Sequence, residues 1–461
     1  MTTFVTVREY ARLTTAPLAG ISLDRAQVSA TAFEWLCRLN AELSPSGSSL
    51  LQVEDRRWLR LDNYVGVVET PCGTRVEILP KHDDGTCDVG KSRALLRRMI
   101  AGAMDLPVRE VGETSLQRFD SPLTEWVIAQ FLSALDHLVK RGVRSDYLRV
   151  EAEECHLRGQ LDAVRQMRQP LGRQHIFQIR HDVFSPDRAE NRLLKRAVEL
   201  ICQQTQSPTS WRLAQELRAL FQDVPRSANV GEDFKRWRTD RLMAHYQAVK
   251  PWCELVLSRQ MPFSVVGKWH GISLLFPMEK LFERYVAAQL QLDLVAGARL
   301  TAQASRQSLC EHDGATMFQL RPDLLIEHEG ERWVLDTKWK LLDAGNKAGA
   351  YGLSQADFYQ LYAYGQKYLA GKGELALIYP RRQAFQHPLP AFRFSADLSL
   401  WVLPFDLELA RLVDGGVTGL PLRAAPSYIG FNTPSTPHPL IAAKYSRNQA
   451  KGHQRDPEKR A

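Results

Sequence analysis

Short alternations of apolar, β-branched and polar residues mark the first part of the chain. Residues 58–70 (WLRLDNYVGVVET) and 74–80 (TRVEILP) are two such runs separated by Pro71, Cys72 and Gly73, which predicts a hairpin. An opening helical segment over 25–43 (RAQVSATAFEWLCRLNAEL) is expected ahead of them. From about residue 91 the apolar period lengthens to that of a helix, first in 92–104 and then in 121–142, where Ser121 or Pro122 starts and Gly142 stops a long helix. Residues 187–204 and 211–224 continue in the same period. From about 246, helix, paired strands, helix and strand alternate as an α/β unit. After residue 404 the periodicity fades into a stretch rich in Gly, Pro, Ser and Thr, which cannot bury enough apolar surface to offset the entropy of ordering. The expected organisation is a multidomain α+β to α/β protein: a β-rich N-terminal region at 1–90, a mainly helical middle at 91–245, an α/β domain at 246–420, and a disordered basic tail at 421–461.

A length of 461 residues supports two or three cores, and 44% hydrophobic against 24% charged residues excludes a wholly disordered chain. No apolar run is long enough to cross a bilayer, and the first residues carry Arg8, Glu9 and Arg12 where an export signal needs an apolar stretch. Seven cysteines lie far apart with no CxxC pair, which suits neither a disulfide framework nor a zinc site, and the twelve histidines show no paired metal spacing. A cytoplasmic, non-membrane protein is the expectation. The net charge of +8 tilts toward a polyanionic partner, although part of the excess lies in the tail.

The richest chemistry lies in residues 321–340, RPDLLIEHEGERWVLDTKWK. They read as a hairpin turning at Glu329 and Gly330, with Trp333, Leu335, Thr337 and Trp339 on a core face. Val334, Asp336, Lys338 and Lys340 then share the other face, and the first strand brings Asp323 near them. Asp323, Asp336 and the Thr337 carbonyl are oxygen donors suited to Mg²⁺, with Mn²⁺ as a substitute, and Lys338 could orient a water or stabilise a pentavalent transition state. PD, twelve residues, then DTK is the PD-(D/E)xK nuclease spacing, so the expected C-terminal core is restriction-endonuclease-like. The bland alternative is a surface hairpin whose Asp336 and Lys338 form an ordinary ion pair.

Neighbouring segments favour the nuclease. In 354–368 (SQADFYQLYAYGQKY), Ser354 and Asp357 stand in a capping arrangement, and Gln360 and Tyr364 lie one helical turn apart. This resembles the QxxxY helix that covers the active site in RecB-like and Cas4-like nucleases. In 277–290 (PMEKLFERYVAAQL), Glu279 and Glu283 share a helix face, and by analogy with that superfamily Glu283 is the choice to complete the metal site.

The order of segments also resembles the McrC family, nuclease subunits of GTP-dependent, modified-cytosine restriction systems. The resemblance rests on 63–81 (NYVGVVETPCGTRVEILPK), 138–162 (LVKRGVRSDYLRVEAEECHLRGQLD), 184–198 with Asn191 and Lys195, and 274–286 leading into the PD and DTK motifs. It implies an N-terminal region that docks on a McrB-like AAA+ GTPase ring and stimulates it, with GTP used only through that partner. It further implies cleavage of double-stranded DNA bearing modified cytosine, with Asp323, Asp336 and Lys338 carrying the chemistry. Two rivals stay open: a non-catalytic activator that caps the ring, and a nuclease of a methylation-independent defence system.

Other patterns weigh less. GTCDVGKS at 85–92 spells a P-loop, but the preceding strand stops at Pro80 and Asp83, Asp84 and Asp88 put negative charge where phosphate would sit. Arg141, Arg144, Arg149, Arg158 and Arg165 are candidates for a basic surface or for plain solvated positions. Asn191 and Lys195, one turn apart, fit an interface or a helix cap equally well.

Overall fold

β1 (Phe4–Arg8), β2 (Arg12–Thr14), β3 (Arg25–Gln27), α1 (Ala30–Leu43), β4 (Leu51–Val53), β5 (Trp58–Leu61), β6 (Tyr64–Glu69) and β7 (Arg75–Leu79) build the N-terminal part. β6 and β7 pair antiparallel across a turn in which the Gly73 amide donates to Thr70, as the Pro-Cys-Gly punctuation predicts. β1 adds parallel to β7, and β3-β2-β5-β4 form a second small sheet. The opening helix is shorter and later than expected. Arg25–Gln27 pairs with β2, three strands precede the helix, and Ser29 takes the Ala32 amide where the helix can begin.

This computed structural model describes residues 3–423 apart from 21, 44–48, 56, 83–87, 109–120 and 258–272. Of the tail expected at 421–461, residues from Ala424 onward lie outside the described residues, and its start is corrected: Pro421 accepts from the Val295 amide at 2.9 Å and Leu422 bridges to Leu294.

The middle contains α2 (Val89–Ala103), α3 (Leu123–Arg141), β8 (Asp146–Glu154), β9 (Gln160–Leu161), α4 (Ala163–Met167), β10 (Phe177–Ser185), α5 (Ala189–Gln204), α6 (Pro208–Leu220), α7 (Val230–Lys235) and α8 (Lys250–Leu257). α3 stops at Gly142, whose φ of 102° suits only glycine well. The helical reading of this region missed a three-stranded sheet, β8-β10-β9, in which β8 is largely exposed and β10 mostly half-buried, although β8 alternates Leu148, Val150 and Ala152 with Arg149, Glu151 and Glu153 as a strand does.

The last part comprises β11 (Leu274–Pro277), α9 (Met278–Asp293), β12 (Arg299–Ala302), β13 (Gln307–His312), β14 (Ala315–Leu320), β15 (Leu324–His328), β16 (Glu331–Thr337), α10 (Gln355–Tyr368), β17 (Gly373–Pro380), β18 (Phe392–Arg393), β19 (Leu398–Asp406) and β20 (Arg411–Leu412). One mixed sheet runs β12-β15-β16-β17-β19-β18, with β20 beside β19, and β16, α10 and β17 form a parallel crossover unit.

The borders drawn at 90 and 245 are crossed by packing. β11 pairs antiparallel with β6 of the N-terminal sheet, and Gly66 permits the approach: with φ 127°, a Cβ there would lie 1.9 Å from the Leu274 carbonyl oxygen. α2 lies so close to α9 that a Cβ on Gly102 would come within 2.9 Å of the Tyr285 ring. A single core extends from Val65 and Val67 through Phe131, Leu193 and Trp252 to Phe282, Leu335 and Trp339. Each fully buried aromatic or leucine side chain there contributes roughly 2–3 kcal/mol. Residues 1–422 accordingly form one compact unit. Among the described residues no helix is long and apolar enough to cross a membrane.

Candidate active site

β15 and β16 meet at a tight turn in which Glu329 (φ 49°) and Gly330 (φ 87°) both take the left-handed conformation that a two-residue hairpin needs. Asp323 enters β15 and Asp336 lies near the end of β16, so both carboxylates reach the same edge. The expected half-exposed hairpin is corrected here. β16 is interior, with β15 on one side and β17 on the other, and both its faces are covered: Leu335 and Trp339 face the main core, Val334 the cluster under α10. Asp336 is therefore only 2% exposed.

That burial makes the charges informative. The Lys338 ammonium lies 2.7 Å from Asp336 Oδ2, but that oxygen otherwise lacks a hydrogen-bond donor. Burial, then the neighbouring Asp323, push Asp336 up to about 7 against the pull of Lys338. Burial disfavours the Lys338 ammonium too, yet Asp336, with Asp357 and Asp323, outweighs it and the lysine stays above its ordinary value. Asp323 is held by its neighbour strand: Oδ2 accepts from the Thr337 amide and hydroxyl, both at 2.8 Å. Glu283, on α9, is raised by burial and by Asp323, and Gln303 bridges the two carboxylates, donating to Glu283 at 2.5 Å and Asp323 at 3.2 Å.

The donor set of Glu283, Asp323, Asp336 and the Thr337 carbonyl is all oxygen, the chemistry a hard divalent cation takes. A buried carboxylate oxygen short of donors and a carboxyl raised to about 7 both mark a place where a cation would offset charge. As the side chains stand, no group of three or more His, Cys, Asp and Glu among the described residues converges on one point for a metal ion. Gln303 occupies the gap between Glu283 and Asp323, and Thr337 holds Asp323 Oδ2.

Gln360 and Tyr364 come together as their spacing predicts. Gln360 donates to the Tyr364 hydroxyl at 2.6 Å, which donates onward to the Arg321 carbonyl at 3.0 Å. Tyr364 thus fixes the backbone two residues before Asp323. The Ser354–Asp357 cap is corrected: Ser354 makes no side-chain cap, and the Asp357 carboxylate instead lies 3.9 Å from both Lys338 and Lys340. Sequence reading missed Gln303 and this role of Asp357. It also missed Glu9, which accepts from the Trp339 indole. Asp357 sits inside an expected motif and carried a signal; Gln303 and Glu9 reach the site only through tertiary folding.

Remaining expectations fall elsewhere. Asp88 caps α2, taking the Gly90 and Lys91 amides that a bound phosphate would need, and residues 83–87 of the P-loop spelling lie outside the described residues. Asn191 is buried, donating to the Arg144 and Pro186 carbonyls and accepting from Tyr246, while Lys195 donates to Gln222 and Val224 carbonyls. Both therefore pin the fold internally. Arg149 donates to Gln160 and Arg165 pairs with Glu151, so these two of the candidate basic residues already have partners.

Comparison with known proteins follows the same lines. A chain of the refined half-complex from the tetradecameric assembly of Thermococcus gammatolerans McrB AAA+ hexamers with bound McrC is similar in fold, with 19% identity, a TM-score of 0.65, and coverage of 88% of this chain and 95% of that one. A chain of the Thermococcus gammatolerans McrBC complex matches at 20% identity over 63% of this chain and 87% of that one, with a TM-score of 0.48. No curated protein sequence matches. The family described as McrBC 5-methylcytosine restriction system component matches residues 59–380, well over half of the sequence and including the Asp323, Asp336 and Lys338 hairpin. The chain belongs to that family.

Proposed function

We propose that this chain is a McrC-like subunit that hydrolyses DNA phosphodiesters with Mg²⁺ in a PD-(D/E)xK core. It acts in the cytoplasm and works with a McrB-like AAA+ ring whose GTPase it stimulates. The observation that carries this reading is the buried Asp336–Lys338 pair beside Asp323 at the shared edge of β15 and β16. An ordinary surface ion pair needs no such burial. Support for the partner comes from the similar fold found in a complex of McrB AAA+ hexamers with bound McrC. The family description supports DNA bearing 5-methylcytosine as substrate.

A divalent ion bound by Asp323, Asp336, Glu283 and the Thr337 carbonyl would supply a lowered pKa for water and charge neutralisation at the phosphodiester. The rest falls to the chain's own groups. Thr337 orients Asp323, and Tyr364 and Gln360 fix the Arg321 backbone that leads into it. Lys338, kept protonated by Asp336, presents an ammonium to the negative charge that builds on the phosphoryl oxygens. Gln303 must release Glu283 and Asp323 for both to serve one ion.

The test is cleavage of 5-methylcytosine-containing DNA by the assembled complex with GTP and Mg²⁺. Asp336→Ala and Lys338→Ala are expected to abolish cleavage while partner binding and GTPase stimulation persist. Full cleavage by both variants overturns the reading.

A further inference from the structure

One buried acid has no part in the chemistry so far. Glu9 follows β1 in the N-terminal sheet and is fully buried. Its carboxyl accepts from the Lys81 amide at 2.7 Å and from the Trp339 indole at 3.2 and 3.1 Å, 330 residues along the chain. Burying a carboxyl costs several kcal/mol that an apolar residue would not, so its retention in a seam of the core calls for a reason.

The geometry around Trp339 supplies one. The β16 ladder ends at Thr337, and Lys338 keeps one backbone bond, its amide to the Ile378 carbonyl at 2.9 Å. Beyond it the chain leaves the sheet. Trp339 points to the face opposite Lys338, into the main core, where its ring lies 5.2 Å from that of Phe282. Phe282 immediately precedes Glu283 on α9, as Lys338 immediately precedes Trp339. One indole therefore borders both halves of the site. Packing alone leaves it room: a cleft of about 230 Å³ lined by Tyr10, Lys81, Trp339, Lys340 and Leu341 opens beside it.

We infer that Glu9 is a positioning residue: by anchoring the Trp339 indole, the N-terminal sheet sets where the Lys338 ammonium and the Glu283 carboxylate stand. For its link to catalysis this rests on the nuclease reading above. The anchor works in the protonated form, because burial raises Glu9 to about 8 despite the Lys81 amide and Trp339, with Glu279 adding to the rise. A neutral acid still accepts the indole N–H on its carbonyl oxygen, and glutamine reproduces that arrangement.

The experiment compares wild type with Glu9→Leu, Glu9→Gln and Trp339→Phe in the full chain. Competitive reductive methylation reads the Lys338 amine directly by mass spectrometry, with exposed Lys367 as the internal reference. DNA cleavage with the partner is measured in parallel. In wild type Lys338 should label slowly, since its ammonium sits between Asp336 and Asp357. Glu9→Leu and Trp339→Phe should raise Lys338 labelling at least threefold and lower cleavage about 10- to 100-fold, the usual penalty for a displacement of about 1 Å. Glu9→Gln should match wild type in both. If Glu9→Leu does not fold, Trp339→Phe, which keeps a six-membered aromatic ring but loses the N–H donor together with the fused pyrrole, decides. Unchanged Lys338 labelling in folded Trp339→Phe overturns the inference. Changed labelling in a system where wild type cuts no DNA upholds the positioning and defeats the nuclease reading.

Discussion

The molecule contains two sets of short ion pairs that differ in everything except length. On the β8–β10 sheet, Arg180 meets Glu151 at 3.0 Å and Arg173 meets Glu153 at 2.8 Å. No residue of β8 is buried, and Tyr147 and Phe184, ring centroids 5.2 Å apart, are 69% and 64% exposed. At the edge of β16, Lys338 meets Asp336 at 2.7 Å, but the last five residues of that strand are buried. Distance does not separate the two regions; water does. In solvent a pair is screened and nearly neutral in energy, whereas in a dry site each charge must be matched and its proton affinity shifts. Only the second kind of pair points to chemistry.

The hardest test of this contrast is Lys338→Ala. Cleavage should fall by a thousandfold or more as charge stabilisation is lost, and the fold should lose on the order of 3 kcal/mol because Asp336 is left without its cation. Chemical denaturation alongside the cleavage assay checks both. A loss of stability under about 0.5 kcal/mol would place the buried pair in the same class as the surface ones. Next in size is Gly66→Ala. Its Cβ would overlap the Leu274 carbonyl, pushing β11 off β6 and loosening α9, which carries Glu283. A fall of at least about 2 kcal/mol in unfolding free energy is expected, with no charged group touched.

The pH dependence sharpens the contrast from another side. Glu9 is raised from 4.5 to about 8 by burial, so between those values the folded chain holds a proton that the unfolded chain has lost. Its contribution to stability is complete below pH 4.5 and disappears as pH rises through about 8. Asp336, raised to about 7, acts in the same direction. Glu9→Gln removes the first titration and should flatten the decline in unfolding free energy between pH 6 and 8 by about 2 kcal/mol. Denaturant melts at the two pH values would show it, and an unchanged slope would mean that Glu9 does not titrate there.

What the sequence disclosed follows the range of the interactions. The PD and DTK spacing, the Glu329–Gly330 turn and the Gln360–Tyr364 pair are local, and each stands where its spacing puts it. Interactions between distant segments left no local trace. Gln303 reaches Asp323 across a strand pair, Glu9 reaches Trp339 from the other end of the chain, and β11 leaves the C-terminal segment to finish the N-terminal sheet. The β8–β10 sheet was missed for another reason: DYLRVEAEE does alternate Leu148, Val150 and Ala152 with Arg149, Glu151 and Glu153, but this strand stands between long helical segments and buries none of its residues.

The smallest predicted effect tests the exposed half of the comparison. Arg173→Ala removes a 2.8 Å pair with Glu153 in which both side chains are about half exposed, 57% and 49%. Free in solvent, each charge recovers its hydration when the partner is deleted, and the entropy gained by the released side chain offsets most of the lost attraction. A change in unfolding free energy below about 0.5 kcal/mol is expected, shrinking further at high salt as the Debye length contracts. Because the sheet is held chiefly by the nine-residue ladder between β8 and β10, the Arg173→Ala melt should stay superimposable on wild type. A loss of 2 kcal/mol or more would mean that this face is dry in solution, covered by something that makes its charges count as those beside β16 do.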